Sequence, residues 1–408
     1  MSRVRAPRNL DDFREFVRGQ LADHLPRRSE GDHSPEEDRD HRRHRELQGR
    51  LHAAGLAGLM YPEEYGGQGL GREHQVIFNE EARDYEMPLM FAVTLGIIGP
   101  TLLDRGTEAQ KLAHIPRMLS GDAMWVQFLS EPGAGSDLAA TATTAARDGG
   151  QYILRGSKIW STGAQFADFS LCLVRTDWDL PKHRGLSMLI LPIDHPGVTV
   201  EPIALVNRDA RFCQEFIDDA AVPVDNLVGS ENDGWSVALE LLQHERNMVG
   251  GNSLDGGLLR ERQSGQDSLT QILAAAAQLG AGAPVAEQLV GEAVTLARLG
   301  PLLAAHLRVE VAAGRLSGQS ASMLKLFSST TEYRQREIGF RLARGRALFS
   351  ADWDEDPKVA VNWVGARART IAGGTNEMQR NVIAERVLGL PRDVAIDRDV
   401  AFRDVRRN

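Results

Sequence analysis

Between residues 10 and 25 the apolar positions Phe13, Phe16, Val17 and Leu21 recur at helical spacing, which predicts an amphipathic helix. Residues 27–46 are almost wholly charged or polar with both signs mixed, and read as a solvated loop and helix face. His24, His33, His41 and His44 lie in or beside this stretch but lack the repeated carboxylate or cysteine spacing of a metal site, so no metal is expected. Leu47 to Met60 reads as a further helix, ended by a glycine-rich turn from Tyr61 to Gly71. No strand precedes that turn, so it is a connector rather than a phosphate cradle. Helices continue over 72–120, with breaks expected near Gly99-Pro100 and Gly106-Thr107, and Thr107 with Gln110 has capping-box spacing.

From Met124 to Val228 the period changes to short alternating and β-branched runs, which predict an antiparallel sheet or small barrel. Helical periodicity resumes around Asp225–Trp235 and includes an alanine-rich helix at 273–283. The expected architecture is α+β in the order α–β–α. An all-helical domain spans 1–122, a middle antiparallel β domain 123–228, and a C-terminal helical bundle 229–408.

Composition narrows the function only a little. The chain has 408 residues, 42% hydrophobic and 25% charged, as in ordinary globular proteins. A net charge of −9 argues against a general nucleic-acid binder. The two cysteines, Cys172 and Cys213, cannot make a disulfide framework and read as core or strand residues. With no membrane-length apolar run and no signal-peptide core at the N-terminus, a cytoplasmic location is expected.

The chemistry concentrates between Gln127 and Gly163. Gly133, Ala134 and Gly135 in S-E-P-G-A-G-S-D free a backbone to curl around an anion. Further on, Trp160 and Thr162 end a β-like segment with one large π-surface and one hydroxyl, which suits a planar heteroaromatic cofactor. Either half alone would read as a turn or a core tryptophan. In order, Ser130–Leu138 followed by Gly156–Gly163 (Gly-Ser-Lys-Ile-Trp-Ser-Thr-Gly) resembles the central β-domain signature of the acyl-CoA dehydrogenase family. The Tyr61-Pro-Glu-Glu-Tyr-Gly-Gly turn and the closing Ile383–Arg392 segment are similar to that family too.

The resemblance implies FAD-dependent oxidation of an acyl-CoA to the trans-2-enoyl-CoA, with electrons passed to an electron-transfer flavoprotein. Such a reaction needs a base at the α-carbon, a hydride acceptor at the β-carbon and donors that polarise the thioester carbonyl. The family's usual glutamate position is occupied by Gly373 in Ala372-Gly373-Gly374-Thr375-Asn376-Glu377. A subset of the family carries the base just before an arginine on the first helix of the C-terminal domain, and Glu245-Arg246 matches it. A Glu-Arg pair on a helix is by itself an ordinary solvated pair. With glycine at the partner position, the resemblance assigns the base to Glu245.

By the same resemblance, Gln127, Leu129, Ser130, Trp160 and Thr162 would bind the flavin ring, and Gly374, Thr375 and Glu377 its C-terminal side. Ser136 would meet the CoA phosphates, Arg246 the acyl cavity, and the Gly373 N–H the thioester carbonyl. The family's Arg-x-x-Phe-Gly and Gln-x-x-Gly-Gly-x-Gly segments, which reach a neighbouring subunit's flavin, have no counterpart in RERQSGQDSLTQ or REIGFRLARGRAL. Arg341, Arg344 and Arg346 could replace those phosphate contacts but read as a solvated helix face. The pattern is similar to bacterial members acting on steroid side chains or other bulky acyl-CoAs. It implies a homodimer, a homotetramer or a hetero-oligomer with a second dehydrogenase-like chain. A flavin monooxygenase, an enzyme acting on a carrier-protein thioester and a non-catalytic partner subunit are the alternatives.

Overall fold

In the computed structural model, residues 4–28, 40–206, 210–249, 266–277, 284–343, 357–392 and 394–405 are described. Asn9 opens helix α1 (Leu10–His24) by accepting the N–H groups of Asp11 and Asp12. Phe13, Val17 and Leu21, at i, i+4 and i+8, are all buried. Helix α2 (His41–Ala53) stops short of the expected Met60, because Gly55 and Gly58 turn the chain through left-handed φ values of 71° and 62°. His44 on α2 is buried rather than solvated, and His41 stacks on Phe166, while His33 lies outside the described residues. Among the described residues no group of three His, Cys, Asp or Glu side chains could hold a metal.

The glycine-rich connector is structural. Tyr61 is buried and donates to the Leu95 carbonyl at 2.5 Å, and a Cβ on Gly67 would lie 1.9 Å from the Tyr61 carbonyl oxygen. After α3 (Arg72–Glu81), a π-turn (Thr94–Ile98) runs directly into α4 (Gly99–Arg105), so no break occurs at Gly99-Pro100. Pro100 sits in the first turn of α4, where its missing N–H costs nothing. The break at Gly106 is present, and α5 (Glu108–Ser120) starts with both capping-box bonds between Thr107 and Gln110.

Eight strands follow: β1 (Trp125–Phe128), β2 (Thr144–Asp148), β3 (Gln151–Thr162), β4 (Phe169–Arg175), β5 (Leu186–Pro192), β6 (Val198–Ile203), β7 (Phe212–Pro223) and β8 (Leu227–Val228). Their order is β6-β7-β3-β2-β4-β5-β8, with β1 added beside β4. Most pairings are antiparallel, but β1 and β2 each meet β4 in parallel, so the sheet is mixed. β4 and β5 read as continuous apolar runs because both faces are covered. Leu171, Leu173, Met188 and Ile190 face a helix-lined core, and Cys172, Val174, Leu189 and Leu191 the opposite one. Both cysteines are free, buried strand residues, and burial pushes the Cys172 thiol up to about 12.

Helix α6 (Gly234–Val249) packs with the sheet: Val237, Ala238, Leu241 and Met248 join the same core as Trp125, Leu171 and Met188. The segment after Ala395 returns to this unit as well. Phe402 and Arg403 donate their N–H groups to the Leu180 and Trp178 carbonyls, and the Arg175 guanidinium lies 3.7 Å from the buried Phe402 ring. Truncating Phe402 to Ala is expected to cost about 3–5 kcal/mol, read from the urea midpoint. A loss below about 1 kcal/mol would show that this segment is only laid on the surface.

The remaining helices form a second unit. Helices α7 (Gln266–Ala277), α8 (Pro284–Ala312) and α9 (Ala321–Ala343) bury Ile272, Leu289, Ala293, Ile338 and Leu342 between them. The shorter α10 (Pro357–Gly365), α11 (Arg367–Ile371) and α12 (Asn376–Val382) pack on α9. Among the described residues no helix is long and apolar enough to cross a membrane.

Candidate active site

The chain leaves β1 at Leu129-Ser130 and turns into Glu131–Asp137. That turn is tied to β3 by a buried ion pair: Lys158 Nζ reaches Glu131 Oε1 at 2.8 Å and the Leu129 carbonyl at 3.0 Å. Glu131 also accepts the Ala142 and Thr143 N–H groups at 2.8 and 2.9 Å. Burial pushes the Glu131 carboxyl up, but Lys158 and these hydrogen bonds outweigh it and hold it below the usual carboxylate range. The Ile159 N–H donates to the Ser130 carbonyl at 2.9 Å, so Leu129 and Ser130 lie against the strand just before Trp160. Gly133 and Gly135 are not in left-handed φ, contrary to a turn that needs glycine for its backbone angles. What their missing side chains leave is open space, with no atom within 4 Å of where a Cβ would be. Ser136 is exposed beside them.

Trp160 has φ +70°, unusual for a bulky residue, at a register shift of β3 against β7. The bulge turns the indole outward, 53% exposed, with Phe212 edge-on beside it. Thr162 is exposed at the strand end. Beneath, Ser161 points inward and donates to Glu215 Oε2 at 3.0 Å. Burial raises the Glu215 carboxyl from 4.5 to about 7, against the opposing pull of Ser161 and Lys158. The folded chain keeps this proton where the unfolded chain has lost it, so the group's contribution falls as pH rises from about 4.5 to about 7. Glu215→Gln, which can still accept from Ser161, is expected to raise stability at pH 8 by about 1–3 kcal/mol. The gain should vanish below about pH 5 in melting curves; an equal gain at both pH values would refute the assignment.

Glu245 lies on α6, one turn after the buried Leu241. Gln127 Nε2, from β1, donates to Glu245 Oε2 at 3.2 Å. The Gln127 Oε1 atom is buried with no partner among the described residues. Arg246 donates to Gln243 at 3.0 Å, and its Nε is buried and unpartnered among the described residues. Burial lowers the Arg246 pKa, with Glu245 pulling the other way. The helix is fixed by His244 Nε2 on Asp104 Oδ2 at 2.8 Å and by an Arg105–Glu240 ion pair.

In the second unit, Gly373 and Gly374 have φ +67° and +80°, and a Cβ on Gly374 would meet Gln379 at 2.7 Å. Thr375 caps α12 by accepting the Met378 N–H, and Glu377 is exposed and pairs with Arg380. Arg341 lies in the last turn of α9, while Arg344 and Arg346 lie outside the described residues. Gln127 and Glu245 are thus brought into contact, and Leu129, Ser130 and Trp160 are linked through Lys158 and Ile159. Sequence reading missed Lys158, Glu131 and Glu215; a lysine and a glutamate inside an otherwise strand-like signature were the available signal.

A half-exposed indole on a strained bulge, an unpaired buried amide oxygen and a glycine-lined opening fit a planar, polar-edged ring such as a flavin. Sequence models of the acyl-CoA dehydrogenase N-terminal, middle and C-terminal domains match residues 8–122, 127–220 and 232–388. The chain therefore belongs to the acyl-CoA dehydrogenase family, flavin-dependent oxidoreductases that dehydrogenate acyl-CoA thioesters. It is 35% identical over 397 residues to the acyl-CoA dehydrogenase IpdE1 of Mycobacterium tuberculosis, covering 94% of this chain and 99% of that one. Among solved structures, the Tcur3481–Tcur3483 steroid ACAD superposes with a TM-score of 0.74 at 29% identity, over 95% of this chain and 99% of that one. The ChsE4–ChsE5 complex of Mycobacterium tuberculosis gives 0.71 at 26%, over 96% and 100%.

Proposed function

We propose that this chain oxidises a bulky acyl-CoA to its trans-2-enoyl-CoA with FAD as cofactor, Glu245 acting as the α-proton base. The observation that carries the reading is Glu245 held by the Gln127 amide, on the strand that runs into the signature turn. When bound, FAD supplies the acceptor for the β-hydride. Gln127, Leu129 and Ser130 border its ring, Trp160 offers a stacking face, and Thr162 a hydroxyl donor. In the second unit Gly374, Thr375 and Glu377 are assigned to the cofactor. The Gly373 N–H, which has no acceptor among the described residues, is assigned to the thioester carbonyl. Ser136 is assigned to the CoA phosphates and Arg246 to the acyl end. An electron-transfer flavoprotein is the proposed electron acceptor.

The steroid ACAD among the similar structures supports a branched or ring-bearing acyl group as substrate. A second chain is the favoured partner, because the Tcur3481–Tcur3483 steroid ACAD and the ChsE4–ChsE5 complex each join two named chains, and the family's cross-subunit segments have no counterpart in this sequence. The test is the absorbance spectrum, with anaerobic bleaching by bulky and by short straight acyl-CoAs. A yellow protein bleached by the bulky thioester supports the reading. Bleaching by short straight substrates alone would refute the substrate class. A protein colourless alone but yellow when co-expressed with a second dehydrogenase-like chain would establish the hetero-oligomer.

A further inference from the structure

We infer that Gln127 is a positioning residue for the base, its side-chain amide holding one oxygen of Glu245 so that the other faces the substrate; this rests on the reading of Glu245 as base. Among the described residues, Glu245 Oε2 accepts a hydrogen bond from Gln127 Nε2 at 3.2 Å, and Oε1 accepts none. The amide is presented by a stiff element. Val126 and Phe128 bury into one sheet core while Trp125, on the same face as Gln127, buries against the core that contains α6. β1 is further held by its parallel pairing to β4, where Gln127 is opposite Leu171.

Arg246 is adjacent in sequence, yet its guanidinium donates to Gln243 and makes no hydrogen bond to Glu245 among the described residues. When the α-C–H bond breaks, the proton goes to Oε1 and the electron pair stays on the thioester as its enolate.

A 3-thia-acyl-CoA isolates this step, since sulfur at the β-position has no hydride to give. Exchange of its α-hydrogens into D2O, followed by NMR on the holoenzyme, reads base function without turnover. Native protein should exchange them and Glu245→Gln should not. Gln127→Met should slow exchange by about ten- to a hundred-fold and move the acid limb of the pH profile upward by about one unit. The charged groups on α6 and the elements packed on it (Arg246, His244, Glu240, Asp104 and Arg105) are unchanged in that variant. Gln127→Glu keeps the size but sets two carboxyls together, and should raise the limb further. An exchange rate within about twofold of native in Gln127→Met, or an unmoved limb in Gln127→Glu, overturns the inference. Exchange that persists in Glu245→Gln instead overturns the base reading, which separates the two failures.

Discussion

Glu245→Gln is expected to lower the rate of acyl-CoA-driven flavin bleaching by about a thousandfold or more, with flavin content and acyl-CoA affinity nearly unchanged. An amide of the same shape cannot take a proton, so the loss falls on the chemical step and not on binding. The local structure should tolerate the change. Gln127 has an unpaired carbonyl oxygen, and turning its amide over lets that oxygen accept from the new side chain. Stopped-flow reduction under saturating substrate is the measurement. A loss of less than about tenfold would mean that another group takes the proton.

Lys158→Met is expected to be strongly destabilising. It removes the cation while leaving Glu131 buried with two backbone donors, and breaking a buried pair from one side costs about 3–5 kcal/mol. For a chain of this size that is a fall in Tm of roughly 4–6 °C. The pH dependence should also change sign. In the native protein Glu131 lies below the usual carboxylate range, so its contribution is present at neutral pH and lost as pH falls through its folded value. Without Lys158, burial becomes the dominant influence and the variant should weaken as pH rises. Lys158→Met/Glu131→Gln should recover most of the loss, because it leaves no charge unpaired. Calorimetry at pH 5 and pH 8 decides the matter; a single-variant Tm within about 2 °C of native at both would refute it.

The helical and strand regions were legible because amphipathic spacing at Phe13, Val17 and Leu21, and alternation along β3, are local properties of the chain. Thr107 with Gln110 was legible for the same reason. Pro100 misled because a π-turn directly precedes it, and the helix passes through Gly99-Pro100 without a break. His44 misled because burial is decided by what packs over a charged helix, not by the helix. The parallel pairing of β1 and β4 was hidden, since strand periodicity carries no direction. Lys158 and Glu131 are 27 positions apart and meet only after the sheet forms. The left-handed φ of Trp160 runs against side-chain preference, and only the register shift against β7 imposes it. Glu245 became a site candidate through a resemblance; what the sequence could not reveal was Gln127 as its neighbour.

The segment around Phe402 makes the unit that holds Glu245 discontinuous in the chain, for it is completed by residues synthesised after the whole second unit. On the ribosome, the 178–182 loop between β4 and β5 must wait uncovered while the helices from α7 to α12 emerge and begin to fold. That places the last docking step of the catalytic unit among the slowest, long-range closures of folding. Nascent chains arrested before residue 395 would then leave the Trp178 and Leu180 carbonyls of that loop uncovered, a state on which a chaperone or a partner chain could act before the unit is complete.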